Sequence, residues 1–124
     1  MAIKIDLEKA YDRLRWDFIY ETLTDMGLPI LMRDTIMECV TSARLNVLWN
    51  GEPTNQYKPS RGVRQGDPLS SYLFVFYLER LQQAIDEKFR ASQWSGIRAS
   101  RGGLLITNLF FADDMVLFGE ATVE

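Results

Sequence analysis

The chain has 124 residues, 47% of them apolar and 12% aromatic, which is material for one hydrophobic core rather than for a disordered tail. Fourteen Lys and Arg against seventeen Asp and Glu leave a net charge of -3, so bulk electrostatics do not draw the chain to a polyanion and any such contact must be local. The absence of histidine excludes Ser-His-Asp and Cys-His nucleophiles and histidine-based zinc sites, and the single Cys39 excludes an internal disulfide and fits a reducing compartment. No apolar run approaches the ~18 residues of a membrane span, and the N-terminus lacks signal-peptide order. The expected location is intracellular, in cytoplasm or nucleus.

Ala2 to Leu7 alternates Ile3, Ile5 and Leu7 with Lys4 and Asp6, which predicts a strand whose polar face carries Asp6. Trp16, Ile19, Tyr20, Leu23 and Met26 recur at helical spacing and stop at Gly27 and Pro29. A second helix is expected at about 31 to 42, with Leu31, Ile36, Met37 and Val40 inward and Cys39 packed in the core. Arg44 to Trp49 and Asn55 to Pro59 flank Asn50-Gly51, a pair suited to a tight reversal between strands.

Asp67-Pro68 offers an N-cap and a first-turn proline to a helix running from Leu69 to Lys88. Leu73 to Leu78 is apolar all round, so this half of the helix is expected to be buried against a sheet. Glu79 to Arg90 reads as a solvated helical face. Gly102-Gly103 breaks the chain before two strands, Leu104 to Phe111 and Met115 to Gly119, joined across Ala112-Asp113-Asp114. Packing is the expected role of Trp16, Trp49 and Trp94, with base stacking as the alternative. Without repeats, low-complexity runs or linkers, the chain reads as one continuous unit.

Two adjacent carboxylates in the apolar stretch from Leu109 to Phe118 would be costly to bury unpaired, and a hairpin tip removes that need. If the first strand lies beside this hairpin, Asp6 meets Asp113 and Asp114. An oxygen-only donor set of this kind suits Mg²⁺ or Mn²⁺. A pair of such ions, about 3.5 to 4 Å apart, is an arrangement that stabilises the attacking and leaving oxygens of phosphoryl transfer.

Three stretches in order resemble the reverse transcriptases, and among them the LINE-like enzymes of non-LTR retrotransposons, plant elements included. "KIDLEKAYDRLRW" (4 to 16) is similar to the first catalytic motif of that family, an Asp on a strand with an aromatic five residues on, here Asp6 and Tyr11. "RGVRQGDPLSSYLF" (61 to 74) is similar to the motif built on Gln-Gly and Pro-Leu-Ser, here Gln65, Gly66, Pro68, Leu69 and Ser70. "LFFADDMVLF" (109 to 118) is similar to the aromatic-Ala-Asp-Asp hairpin, with Phe111 as the aromatic.

The resemblance implies an α+β polymerase palm, a small antiparallel sheet with helices packed on one face, and RNA-directed DNA synthesis with two Mg²⁺ (or Mn²⁺) ions. Asp6 and Asp113 would ligate the metals, Asp114 would assist, and the Leu7 carbonyl would be a further ligand. Tyr11 would lie under the sugar of the incoming nucleotide and exclude a 2′-hydroxyl. Gln65 and Gly66 would line the nucleotide pocket, Gly66 by close backbone approach, while Arg64 and Arg61 would touch phosphates or template. Phosphoryl transfer asks mainly for positioning and charge neutralisation, so a site without histidine suffices. The implied partners are an RNA template, a DNA primer and deoxyribonucleoside triphosphates, with no membrane.

Most of the fingers that precede the first motif in that family, and the thumb that follows the hairpin, are expected to be missing. On this reading residues 1–124 are a partial palm domain that does not polymerise on its own. The alternative is a non-catalytic folded remnant of a retrotransposon that binds divalent metal or a partner only. Nucleotide cyclases share a palm sheet and an acidic hairpin, but they usually carry Gly-Gly before the acidic pair and lack the segment seen here at 64 to 70.

Overall fold

A computed structural model describes residues 1–120 of the chain. It is an α+β structure of helices and small antiparallel sheets, in two compact units. The first unit joins Met1–Ala10 to the chain from Leu78 on, and the second is Tyr11–Tyr77. Among the described residues no helix is long and apolar enough to cross a membrane.

The first unit is built on a three-stranded sheet. Strand β1 (Ala2–Asp6) pairs antiparallel with the last strand, β7 (Asp114–Phe118), which pairs in turn with β6 (Asn108–Phe111). The alternation of Ile3 and Ile5 with Lys4 and Asp6 sets the register, because a one-residue slip would exchange the two faces. Met115, opposite Ile5, is buried, as is Ile85 in the same unit. The expected strand from Leu104 to Phe111 is interrupted: Leu105–Ile106 (β5) pairs instead with Ile97–Arg98 (β4), and only β6 joins the hairpin. The Trp94 indole N–H donates to the Phe118 carbonyl at 2.7 Å, tying the β4 approach to β7.

The second unit is mostly helical. A four-residue turn, α1 (Ala10–Arg13), bridges the two units in sequence and leads to α2 (Trp16–Asp25) and α3 (Ile30–Thr41). In α2 the stripe is narrower than its spacing suggests: Ile19 and Leu23 are buried with Thr22, while Tyr20 and Met26 are exposed. Helix α3 buries none of its residues. Leu31, expected inward, is 78% exposed, and Cys39, expected in the core, is exposed too. The other residues expected inward, Ile36, Met37 and Val40, are half-buried, so the inward face of α3 is partial and begins after Leu31.

Asn50 and Gly51 both take positive φ, as a two-residue reversal requires, between β2 (Leu48–Trp49) and β3 (Glu52–Pro53). The hairpin extends through a Leu45–Tyr57 bridge, with both backbone bonds made. Trp49, expected to pack, is 72% exposed at its tip.

Helix α4 (Pro68–Arg90) starts where the sequence signals it: the Leu69 N–H donates to the Asp67 carboxylate at 2.9 Å and Pro68 takes the first turn. Asp67→Ala is expected to lower stability by about 0.5–2 kcal/mol in a thermal or urea melt. The apolar-all-round half of α4 is not buried all round. Leu73 and Phe74 are buried, as are Leu14 and Val63 in the same unit, but Tyr72 and Val75 face solvent.

Candidate active site

The strands that carry Asp6 and Asp114, β1 and β7, are neighbours. Asp6 stands directly opposite Asp114 in the ladder, and the Leu7 N–H continues the pairing by donating to the Asp113 carbonyl at 3.0 Å. The hairpin is tighter than its sequence suggests. Phe111 pairs with Asp114, so the loop is Ala112-Asp113 and Asp114 is already in the strand. Ala112 holds φ at 51°, a conformation that costs a residue with a Cβ about 1–2 kcal/mol. Strain is therefore stored beside the acidic pair.

Opposed like charges repel across a ladder, and a side chain missed at the sequence level offsets this. Lys4 is two residues before Asp6 on the same face, and its ammonium donates to an Asp114 carboxylate oxygen at 2.9 Å. That hydrogen bond and the Asp114 charge, with smaller contributions from Asp6 and Asp113, push the Lys4 pKa above its ordinary value. The i, i+2 placement of Lys4 and Asp6 was the signal available in the sequence.

A cation is thus favoured at this strand end, and all-oxygen donors match a hard divalent ion. Among the described residues, however, no three Asp, Glu or Cys side chains stand close enough to form a metal-holding group. The donor chemistry fits Mg²⁺ or Mn²⁺; the complete donor set is not assembled.

The other predicted residues lie in the second unit. Tyr11, on α1, is half-buried and stacks on Phe74 with ring centroids 4.9 Å apart. Its carbonyl accepts from the Val63 N–H at 2.9 Å, and the Leu14 carbonyl accepts from the Gly62 N–H at 2.7 Å. These bonds satisfy carbonyls that a one-turn helix leaves open. The Trp16 indole N–H closes the arrangement on the Gly62 carbonyl at 2.8 Å. Gly62 is at φ +88°, and a Cβ there would meet the Asp12 carbonyl at 2.9 Å. The segment carrying Arg64, Gln65 and Gly66 is thereby fixed to the segment carrying Tyr11, a role for Gly62 that spacing alone did not suggest.

Arg64, Gln65 and Gly66 are exposed in the turn before α4. Gly66 is at φ +83° with nothing within 4 Å of a built Cβ, so the turn, not protein crowding, explains glycine there. Arg64 and Gln65 line an open groove of about 840 Å³ in this unit, with Arg44, Tyr57 and Arg61.

A family model described as reverse transcriptase (RNA-dependent DNA polymerase) matches residues 1–124. The chain belongs to the reverse transcriptase family. It is 34% identical over 116 residues to the retrovirus-related Pol polyprotein from type-2 retrotransposable element R2DM of Drosophila melanogaster, covering 94% of this chain and 10% of the relative. It is 32% identical over 124 residues to a Pol polyprotein from a type-1 retrotransposable element R2 of Popillia japonica, covering 99% of this chain and 19% of that one. An uncharacterized mitochondrial protein of Arabidopsis thaliana is 45% identical over 65 residues, 52% of this chain and 53% of the relative. The resemblance to non-LTR retrotransposon enzymes therefore holds. This reverse transcriptase chain spans between a tenth and a fifth of the length of the two Pol polyproteins.

Proposed function

We propose that these residues are the palm portion of an RNA-directed DNA polymerase, which extends a DNA primer on an RNA template with deoxyribonucleoside triphosphates. The observation that carries this reading is the register of Asp6 opposite Asp114, beside Asp113, at the exposed end of the β1–β7 pair in a chain of this family. Asp6, Asp113 and Asp114 would hold two divalent ions, with the Leu7 carbonyl as a further ligand. Bound there, the ions would neutralise the charge that builds up on the attacking and leaving oxygens.

The chain's other residues position the nucleotide. Tyr11, braced by Phe74 and by the Val63 N–H, would present its ring to the sugar. Gln65 and Gly66 would line the nucleotide pocket and Arg64 would meet phosphate. Primer extension with matched deoxyribo- and ribonucleotides tests the assignment. Tyr11→Ala is expected to lower the preference for the deoxy sugar by about tenfold or more, since a van der Waals exclusion is lost. Unchanged sugar preference in an active variant would remove Tyr11 from this role.

A second reading is a folded remnant without polymerase activity, and the exposed apolar surface favours it. Ile30, Leu31 and Met32 of α3 and Phe111 of the hairpin are all exposed, as residues that once met other segments would be. A folded chain that extends no primer in Mg²⁺ or Mn²⁺ would select this reading.

A further inference from the structure

Lys4 stands among the acidic strand ends without a part in the chemistry proposed for them. It lies on β1 two residues before Asp6 and on the same face, in the unit that also contains Asp113 and Asp114. The residue opposite it in the ladder is Val116, which offers an ammonium nothing, so the lysine reaches along the diagonal to Asp114. Its Nζ donates to Asp114 Oδ1 at 2.9 Å, and the two side chains remain 67% and 44% exposed. The charges of Asp6 and Asp113 add to the field that the ammonium feels.

Exposure decides what such a pair can do. A solvated ion pair contributes little to stability, because water and salt screen it and two side chains must be held still. A lysine is a point charge on a flexible four-carbon stem, so it can swing away into water. What the pair does control is access to a carboxylate oxygen. An ammonium and a divalent ion both need the lone pairs of Asp114, and an ammonium left close by also repels the ion. The same contact accounts for the incomplete donor set: among the described residues no three acidic side chains close into a metal-holding group, while Asp114 is engaged by Lys4.

We infer that Lys4 is a resident counter-ion of the acidic strand ends, which neutralises Asp114 in the metal-free chain and must release that carboxylate before it can serve a divalent ion. Lys4 thereby sets the metal concentration at which the site fills. It is a positioning residue, acting through Asp114 rather than touching substrate. The inference rests on the reading of Asp6, Asp113 and Asp114 as metal ligands and adds the regulation of that site.

The test is Mn²⁺ binding to the purified whole chain, read from the electron paramagnetic resonance signal of the free ion, with no nucleotide or polynucleotide present. Lys4→Met is expected to bind Mn²⁺ about threefold to tenfold more tightly than the wild type, which is the weight of a unit charge a few ångströms from a divalent ion in salt solution. Lys4→Gln, a second neutral variant, should do the same. Lys4→Arg keeps the charge and should stay within about twofold of the wild type. Lys88→Met removes an exposed lysine of the same unit whose ammonium donates to Gln93 rather than to a carboxylate, and it should also stay within about twofold. Because Lys4 is exposed, circular dichroism of its variants should match the wild type.

Tighter binding by both neutral variants, lost when Asp113→Asn is added, upholds the inference. Equal or weaker binding by the folded neutral variants, or an equal gain in Lys88→Met, would overturn it, and binding that still depends on Asp113 would leave the metal reading standing. Failure of the folded wild type and both neutral variants to take up Mn²⁺, or uptake indifferent to Asp113→Asn, would overturn the metal reading and the inference with it.

Discussion

Asp6→Asn is expected to reduce primer extension by at least about 10³-fold, with the melting temperature unchanged or slightly raised. Losing preorganised charge stabilisation at a polar transition state costs a factor of about 10² to 10³ per hydrogen-bond donor, and loss of a metal ligand costs at least as much. The fold should tolerate the change for two reasons. Asp6 is exposed at the end of β1, and its backbone pairing with Asp114 does not depend on the side chain. Removing a carboxylate also relieves repulsion from the one opposite. Single-nucleotide extension beside a thermal melt separates the two effects; a lower melting temperature in step with lost activity would assign Asp6 a structural role instead.

Gly62→Ala is expected to destabilise the fold by about 2–3 kcal/mol and to lower the thermal midpoint by roughly 10 °C. The left-handed backbone accounts for about 1–2 kcal/mol. The rest comes from a Cβ placed 2.9 Å from the Asp12 carbonyl, a backbone atom that cannot swing aside. The strain would fall on the clamp that joins Tyr11, Leu14 and Trp16 to the segment at 61 to 63. Nucleotide affinity should therefore fall further than stability alone explains, which a substrate titration below the melting transition measures. Leu23→Ala, a cavity at a fully buried position in the same unit, is the control for destabilisation without displacement of Tyr11.

Elements with local rules were legible in the sequence. Alternation gave β1 its polar face, Asn50-Gly51 gave a reversal, and Asp67-Pro68 gave the start of α4, each because one or two residues dictate the backbone. The side of each helix that meets a core was not legible. Leu31 and Cys39 share α3 with Ile36, Met37 and Val40, yet only the latter three are half-buried where α3 meets α2, while α2 buries Ile19 and Leu23 fully. The break between β5 and β6 was also hidden, since Leu104 to Phe111 is apolar on both sides of Thr107-Asn108, two residues a continuous strand can carry, and the switch depends on which neighbour each half finds.

At the candidate site, order and spacing singled out Asp6, Asp113 and Asp114 as expected ligands; the topology sets Asp6 opposite Asp114, and among the described residues the three carboxylates do not close into a metal-holding group. Lys4 and Gly62 escaped notice for different reasons. A lysine on a strand's polar face is ordinarily solvated, and only the cross-strand diagonal to Asp114 gives it a partner. Gly62 looks like one more turn glycine until the Asp12 carbonyl is seen in the space a Cβ would fill.

The most direct measurement is extension of a DNA primer on an RNA template by the purified chain, with and without Mg²⁺ or Mn²⁺, beside Asp113→Asn. Metal-dependent incorporation of deoxyribonucleotides that disappears in Asp113→Asn is the predicted result for a palm whose acidic strand ends carry the chemistry, and it would overturn the expectation from sequence that residues 1–124 do not polymerise on their own. Absence of extension by the folded wild type, or equal extension by wild type and Asp113→Asn, would contradict it.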